Sequence, residues 1–303
     1  MVIVEQKLAK LVERSVSRRK FLVASSATVA TTALMAGCGN DGSTMGGGGG
    51  GGSTTLTDAD YLNFALNLEY LEAEFYLRAA TGNGLSATDT GNSTSKTTGG
   101  SQVPGMSSLQ TQYVNEIAQN ELDHVRFLRG ALASSAVTAP AIDLTNSFNA
   151  LASAAGLGSS FNPFASYGNF LIGAFIFEDV GVTAYHGAAK LLTSKTNLAA
   201  AAEIHAVEAY HAASIRSQIV AAGATAISTA NAVEGVRSQL GGGNETTLSA
   251  TGIVAANPTT SIGYERTTDQ VLHIVYGTGD GAGVKSGTFF PSGLNGNISV
   301  TQS

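Results

Sequence analysis

The sequence predicts an all-α fold: a four-helix bundle with a long crossover between its second and third helices, followed by an irregular C-terminal tail carrying one short helix. Three observations carry this expectation. Four long segments, about 57–80, 107–134, 164–192 and 197–222, repeat apolar residues at helical spacing. Residues 135–163 separate the second from the third, enough to run the length of a bundle, whereas a hairpin connection needs only a few residues. Glu-x-x-His occurs twice, at Glu121 with His124 and at Glu208 with His211, each inside one of those segments. Helical positions three apart lie about 60° from each other and share a face, so each pair can address one ion.

Composition bounds what such a fold can do. The chain has 303 residues, 43% of them hydrophobic and 13% charged, which suits one medium domain with appendages. A single cysteine, Cys38, excludes an internal disulfide framework and any site built from thiolates alone. Net charge is −6, but six of the sixteen basic residues precede Cys38, and beyond it ten basic face twenty acidic residues. That balance disfavours nucleic acid and modestly favours cations.

Residues 1–38 read as an export signal. Ser17-Arg18-Arg19-Lys20-Phe21-Leu22 resembles the twin-arginine motif, and the apolar run to Ala36 is too short for a membrane span. Leu34-Met35-Ala36-Gly37-Cys38 resembles a bacterial lipoprotein cleavage box, which would place acyl chains on Cys38 and tether the protein to a membrane. Cleavage nearby by an ordinary signal peptidase is the alternative. Residues 39–56, with seven consecutive glycines from Gly46, are a flexible spacer.

Helix by helix, the bundle expected over 57–240 places its polar residues as follows. In the first, one face carries Glu69, Glu72 and Tyr76, with Glu74 outward. A polar loop spans 81–106. In the second, Glu121 and His124 share a stripe with Ile117, Val125 and Leu128, while Glu116, Asp123, Arg126 and Arg129 face out. The crossover holds a short helix near 146–155. In the third, Glu178 follows eight mostly bulky apolar residues and shares its stripe with Gly181, Val182 and Tyr185; His186 is a packed or rim residue. In the fourth, Glu208 and His211 lie inward with Ile204 and Val207, and His205 is an outer partner, an additional ligand or, in preference, a rim residue. The extension, 241–303, has one helix between the capping box Thr267–Gln270 and Gly277, on which His273 packs. It is expected to fold over the bundle, anchored by Phe289, Phe290 and Pro291.

An ionised carboxylate on an apolar face is costly unless paired or metal-bound. Glu69, Glu121, Glu178 and Glu208 with His124 and His211 make a donor set for two divalent ions, and oxygen and nitrogen donors without thiolate suit iron first and manganese second. Such a pair binds O₂ or peroxide and changes oxidation state. Tyr76 is the candidate catalytic side chain, placed to hydrogen-bond a ligand or supply an electron; Glu72, Tyr185 and His205 are candidates for the surrounding layer.

As an ordered set, those six residues resemble the ligands of the ferritin-like di-iron superfamily, and the spacing from Glu69 to Tyr76 is similar to that of bacterioferritins and rubrerythrins. The first helix, Arg266–Tyr276 and the run Phe289-Phe290-Pro291-Ser292-Gly293-Leu294-Asn295-Gly296 look closer to its desiccation-related branch. The resemblance implies a four-helix bundle and an association with stress, whereas the signal, spacer and tail argue against a closed storage shell. Two functions follow as expectations: an envelope oxidoreductase that oxidises ferrous iron or consumes peroxide, or a stress-protection protein whose metal only fastens the helices. O₂ or peroxide and metal ions are the expected small-molecule partners, the membrane is reached through Cys38, and self-association into a dimer is compatible with the chain.

Overall fold

The computed structural model describes residues 55–279 and 281–302; the expected signal and spacer, with Arg18, Arg19 and Cys38, lie outside the described residues. The four long helices are α1 (Asp58–Thr81), α2 (Ser108–Leu132), α4 (Tyr167–Ala189) and α5 (Lys195–Ala221). Between α2 and α4 runs the crossover with α3 (Asn146–Ala154). α1 packs along α2 and α4 along α5, and α1 also meets α4, so the pairs close on one core. This is the expected all-α bundle. No described helix is long and apolar enough to cross a membrane.

Local chemistry sets the helix ends. Asp60 accepts from the Thr57 backbone N–H at 2.7 Å, and Ser107 accepts from Gln110 N while the Gln110 side chain returns to Ser107 N. These caps satisfy N–H groups that have no partner within the helix. α1 stops at Gly82, whose φ of +81° suits a residue without Cβ.

Three sequence expectations are corrected. Glu74 is buried rather than outward, because the loop after α1 returns over it and Leu85 N donates to it at 3.0 Å, while Arg78 of α1 itself donates Nε at 2.7 Å. That loop is also less exposed than its polarity suggests, since Val103 is buried and β1 (Thr97–Thr98) pairs in parallel with β2 (Ile142–Asp143) of the crossover. Pro291 is exposed, and the buried anchors of that segment are Phe289, Phe290 and Leu294. Phe289 sets its ring 5.0 Å from Phe177 and 5.4 Å from Phe148. A further helix, α6 (Ala224–Leu240), follows the break at Gly223, and α7 (Thr268–Tyr276) packs on α4 and α6.

The segment after α6 is held to the bundle by buried charge. Arg216 of α5 and Arg237 of α6 donate to Asp179 Oδ2 at 2.7 and 2.8 Å, and Arg237 Nε donates to Glu245 at 2.6 Å. Arg266 donates to the same Glu245 and to Thr183. Asn67 and Asn295 exchange two hydrogen bonds, of 2.8 and 3.0 Å, between α1 and the C-terminal segment. Removing one partner from a buried ion network leaves an uncompensated charge. Glu245→Gln is therefore expected to destabilise the protein by about 3–5 kcal/mol; an unchanged melting temperature would show the network to be dispensable.

Candidate metal centre

Five glutamates converge in the bundle. Glu69 and Glu72 come from α1, Glu121 from α2, Glu178 from α4 and Glu208 from α5, and none is more than 5% exposed. They reach the interior because each replaces an apolar residue on its helix's inward stripe, flanked by Leu66, Val125, Phe177 and Ile204. His124 and His211, one turn after Glu121 and Glu208, bring imidazoles to the same space with ring centres 6.3 Å apart.

His124 Nδ1 lies 3.2 Å from Glu69 Oε2, 3.2 Å from Glu121 Oε2 and 3.3 Å from Glu208 Oε1. One nitrogen carries at most one hydrogen and cannot donate properly to three oxygens. His211 is more specific still. Its Nε2 lies 3.0 Å from Asn120 Oδ1, a side-chain carbonyl that only accepts, so the neutral ring carries its hydrogen on Nε2 and a lone pair on Nδ1. That lone pair faces Glu121 Oε1 at 2.9 Å and Glu178 Oε2 at 3.5 Å, and neither His211 Nδ1 nor those two oxygens has a hydrogen-bond partner. Three electron-rich atoms aimed at one another are a cradle for a cation. Oxygen and neutral-imidazole donors together fit divalent iron or manganese.

Two groups have ligand atoms mutually within 4.8 Å and contain a histidine: Glu69, Glu121, Glu208 with His124, and Glu121, Glu178 with His211. Glu121 belongs to both, so the buried cluster is compatible with a pair of metal ions sharing that carboxylate. Tyr76 of α1 donates its hydroxyl to Glu178 of α4, and Tyr185 of α4 donates to Glu69 of α1. His205 stays outside the cluster, with Nδ1 on Val182 O at 3.1 Å and its ring 5.8 Å from His186. Asn120 was not among the residues singled out from the sequence; its place one residue before Glu121 is the only signal for it.

Without metal, the cluster must carry protons. Burial pushes Glu69 up to about 7 against the charge of His124, and burial followed by the Glu121 charge holds Glu208 well above the carboxylate range. Burial and then Glu208 do the same to Glu72. Burial works against the charged form of His211, but Glu178 and Glu121 outweigh it and raise the ring to about 11. Glu121 alone is pulled down, to about 2, where both histidines overcome its burial.

Comparison with known proteins agrees with this geometry. Residues 57–221 match the family model described as ferritin-like domain. A ferritin-like catalase of Nesocodon mauritianus is 28% identical over 272 residues, covering 80% of this chain and 84% of that protein. A desiccation-related protein of Craterostigma plantagineum is 30% identical over 166 residues, 53% of this chain and 52% of its own length.

A group whose pKa is raised by folding stabilises the fold below its unfolded value and loses that contribution as pH rises. Glu69 does so between 4.5 and about 7, and His211 between 6.5 and about 11; Glu121 has the opposite sign, but only below 4.5. The metal-free protein is thus expected to lose thermal stability continuously from roughly pH 5 to 9, and the metal-loaded protein to show a flatter profile. A melting temperature that climbs over this range in the metal-free form would contradict the protonation pattern.

Proposed function

Because this chain belongs to the ferritin-like domain family, we propose that its buried cluster binds two divalent metal ions, iron or else manganese, and that the loaded protein is a redox enzyme of the cell envelope acting on peroxide or ferrous iron. The observation that carries this reading is the His211 ring, oriented by Asn120 so that its Nδ1 meets two carboxylate oxygens that have no other partner. Glu69, Glu121, Glu208 and His124 would hold one ion, and Glu121, Glu178 and His211 the other. The name of the Nesocodon relative, a catalase, makes hydrogen peroxide the first substrate to test.

When bound, the metal would supply reversible one-electron change, and the chain's own residues prepare the site for it. Tyr76 and Tyr185 keep their hydroxyl hydrogens, since burial and then the neighbouring Glu178 or Glu69 hold both phenols well above their ordinary range. Each thereby fixes a terminal carboxylate by donating to it, and Tyr76 holds a transferable proton at its oxygen, in reach of Glu178. Phe75 and Phe170, 5.2 and 5.7 Å from the Tyr76 ring, keep that side of the site apolar and exclude water.

In this reading, Glu121→Ala and His211→Ala abolish metal-dependent O₂ release from peroxide, and Tyr76→Phe lowers it by roughly 10–100-fold, the usual effect of removing a group that positions a ligand. Unchanged rates in both ligand variants would exclude the reading. The desiccation-related relative favours a second possibility, a structural metal in a stress-protection protein; chelation would then lower the melting temperature with no turnover to lose. Location is part of the proposal: Arg18 and Arg19 direct twin-arginine export and Cys38 carries the lipid anchor. Cys38→Ser should move the protein from the membrane fraction to the soluble fraction of the envelope, and continued membrane retention would rule out the anchor.

A further inference from the structure

Glu72 is not needed by either histidine-bearing group, yet it is as deeply buried as the residues that form them. It forms a third group with Glu178 and Glu208, again with one oxygen from each mutually within 4.8 Å, and it shares a group with neither His124 nor His211. An ion held by either imidazole is therefore not the ion that Glu72 would touch. Glu72 Oε2, Glu178 Oε2 and both oxygens of Glu208 lack any hydrogen-bond partner, and the three side chains are 5%, 0% and 0% exposed. Although Tyr76 donates to the other oxygen of Glu178, these unpartnered carboxylate oxygens facing one another in a dry interior require a cation or protons between them.

The backbone opposite makes room for this arrangement. A Cβ at Gly181 would stand 2.4 Å from Glu208 Oε2 and 3.2 Å from Glu72 Oε1, so the absence of a side chain there lets both carboxylates stand against α4. A mid-helix glycine costs about 1 kcal/mol relative to alanine, and close approach of these carboxylates is what it provides. A cavity of about 20 Å³ adjoins Glu72 beneath α7, between Leu68, Phe177 and Ile274. Apart from Glu72 its walls are apolar, so the cavity supplies the carboxylates with no polar partner.

We infer that Glu72, Glu178 and Glu208 form a third cation position, made only of oxygen donors, beside the histidine-bearing pair. Four carboxylates neutralise two divalent ions, and Glu72 adds the fifth negative charge that a further cation meets. Oxygen-only coordination selects hard divalent ions such as Mn²⁺, Mg²⁺ or Fe²⁺ over those that prefer nitrogen. Because it has no imidazole and shares two ligands with its neighbours, the position fills last and empties first. This inference rests on the di-metal reading.

Titration of the full metal-free protein with Mn²⁺, followed by elemental analysis and by anomalous diffraction from loaded crystals, tests it. Three ions per chain are expected, the third at least tenfold weaker, with Glu72→Gln reducing the count to two while both histidine-bound ions stay. Saturation at two ions in the native chain would overturn the third position and leave the di-metal reading intact; binding of none would overturn both. Should Glu72→Gln fail to fold, the location of the anomalous peaks in the native protein decides, and no peak among Glu72, Glu178 and Glu208 refutes the site.

Discussion

Five carboxylates have been taken out of water and placed within reach of one another, and much of the molecule can be understood as a response to that. Desolvating a carboxylate is unfavourable, and crowding several together is more so, unless protons, imidazolium rings or metal ions stand between them. Here the compensation comes from four helices at once, so no pair of them is complete alone. The electrostatic requirement and the architecture are thus the same fact: a bundle is the fold that lets four helices each bring a donor to one dry point.

The groups around the cluster limit its freedom. Tyr76 and Tyr185 cross between α1 and α4 in opposite senses, each holding the glutamate of the other helix. Asn120 orients His211 from the α2 side. Directly after Glu178, Asp179 points the other way and is gripped by Arg216 and Arg237. Adjacent acidic residues on α4 therefore serve two separate tasks, one inside the bundle and one fastening the C-terminal segment to its outside.

How much of this was legible in the sequence follows from which signals are periodic. The four bundle helices, the inward position of Glu69, Glu121, Glu178 and Glu208, and the crossover all depend on helical spacing, which the chain displays openly. Glu74 reads as outward because helical phase cannot show that a loop will double back and offer it the Leu85 N–H. α6 is hard to read because its alanine, serine and glycine residues give little apolar contrast, and its largest buried side chain is Arg237, a residue that by type belongs on the surface. Its burial depends on Asp179 and Glu245, at positions 58 and 8 residues away. The Asn67–Asn295 clasp, across 228 positions, leaves no local trace at all.

That clasp also has a temporal meaning. Its second half does not exist until synthesis has reached Asn295, and the ion network around Asp179 waits likewise for Glu245 and Arg266. Ordering contacts so far apart is slow, because loop closure must precede any energetic return. The clasp is therefore a late product of the chain, formed after translation has passed Asn295 rather than alongside the bundle helices.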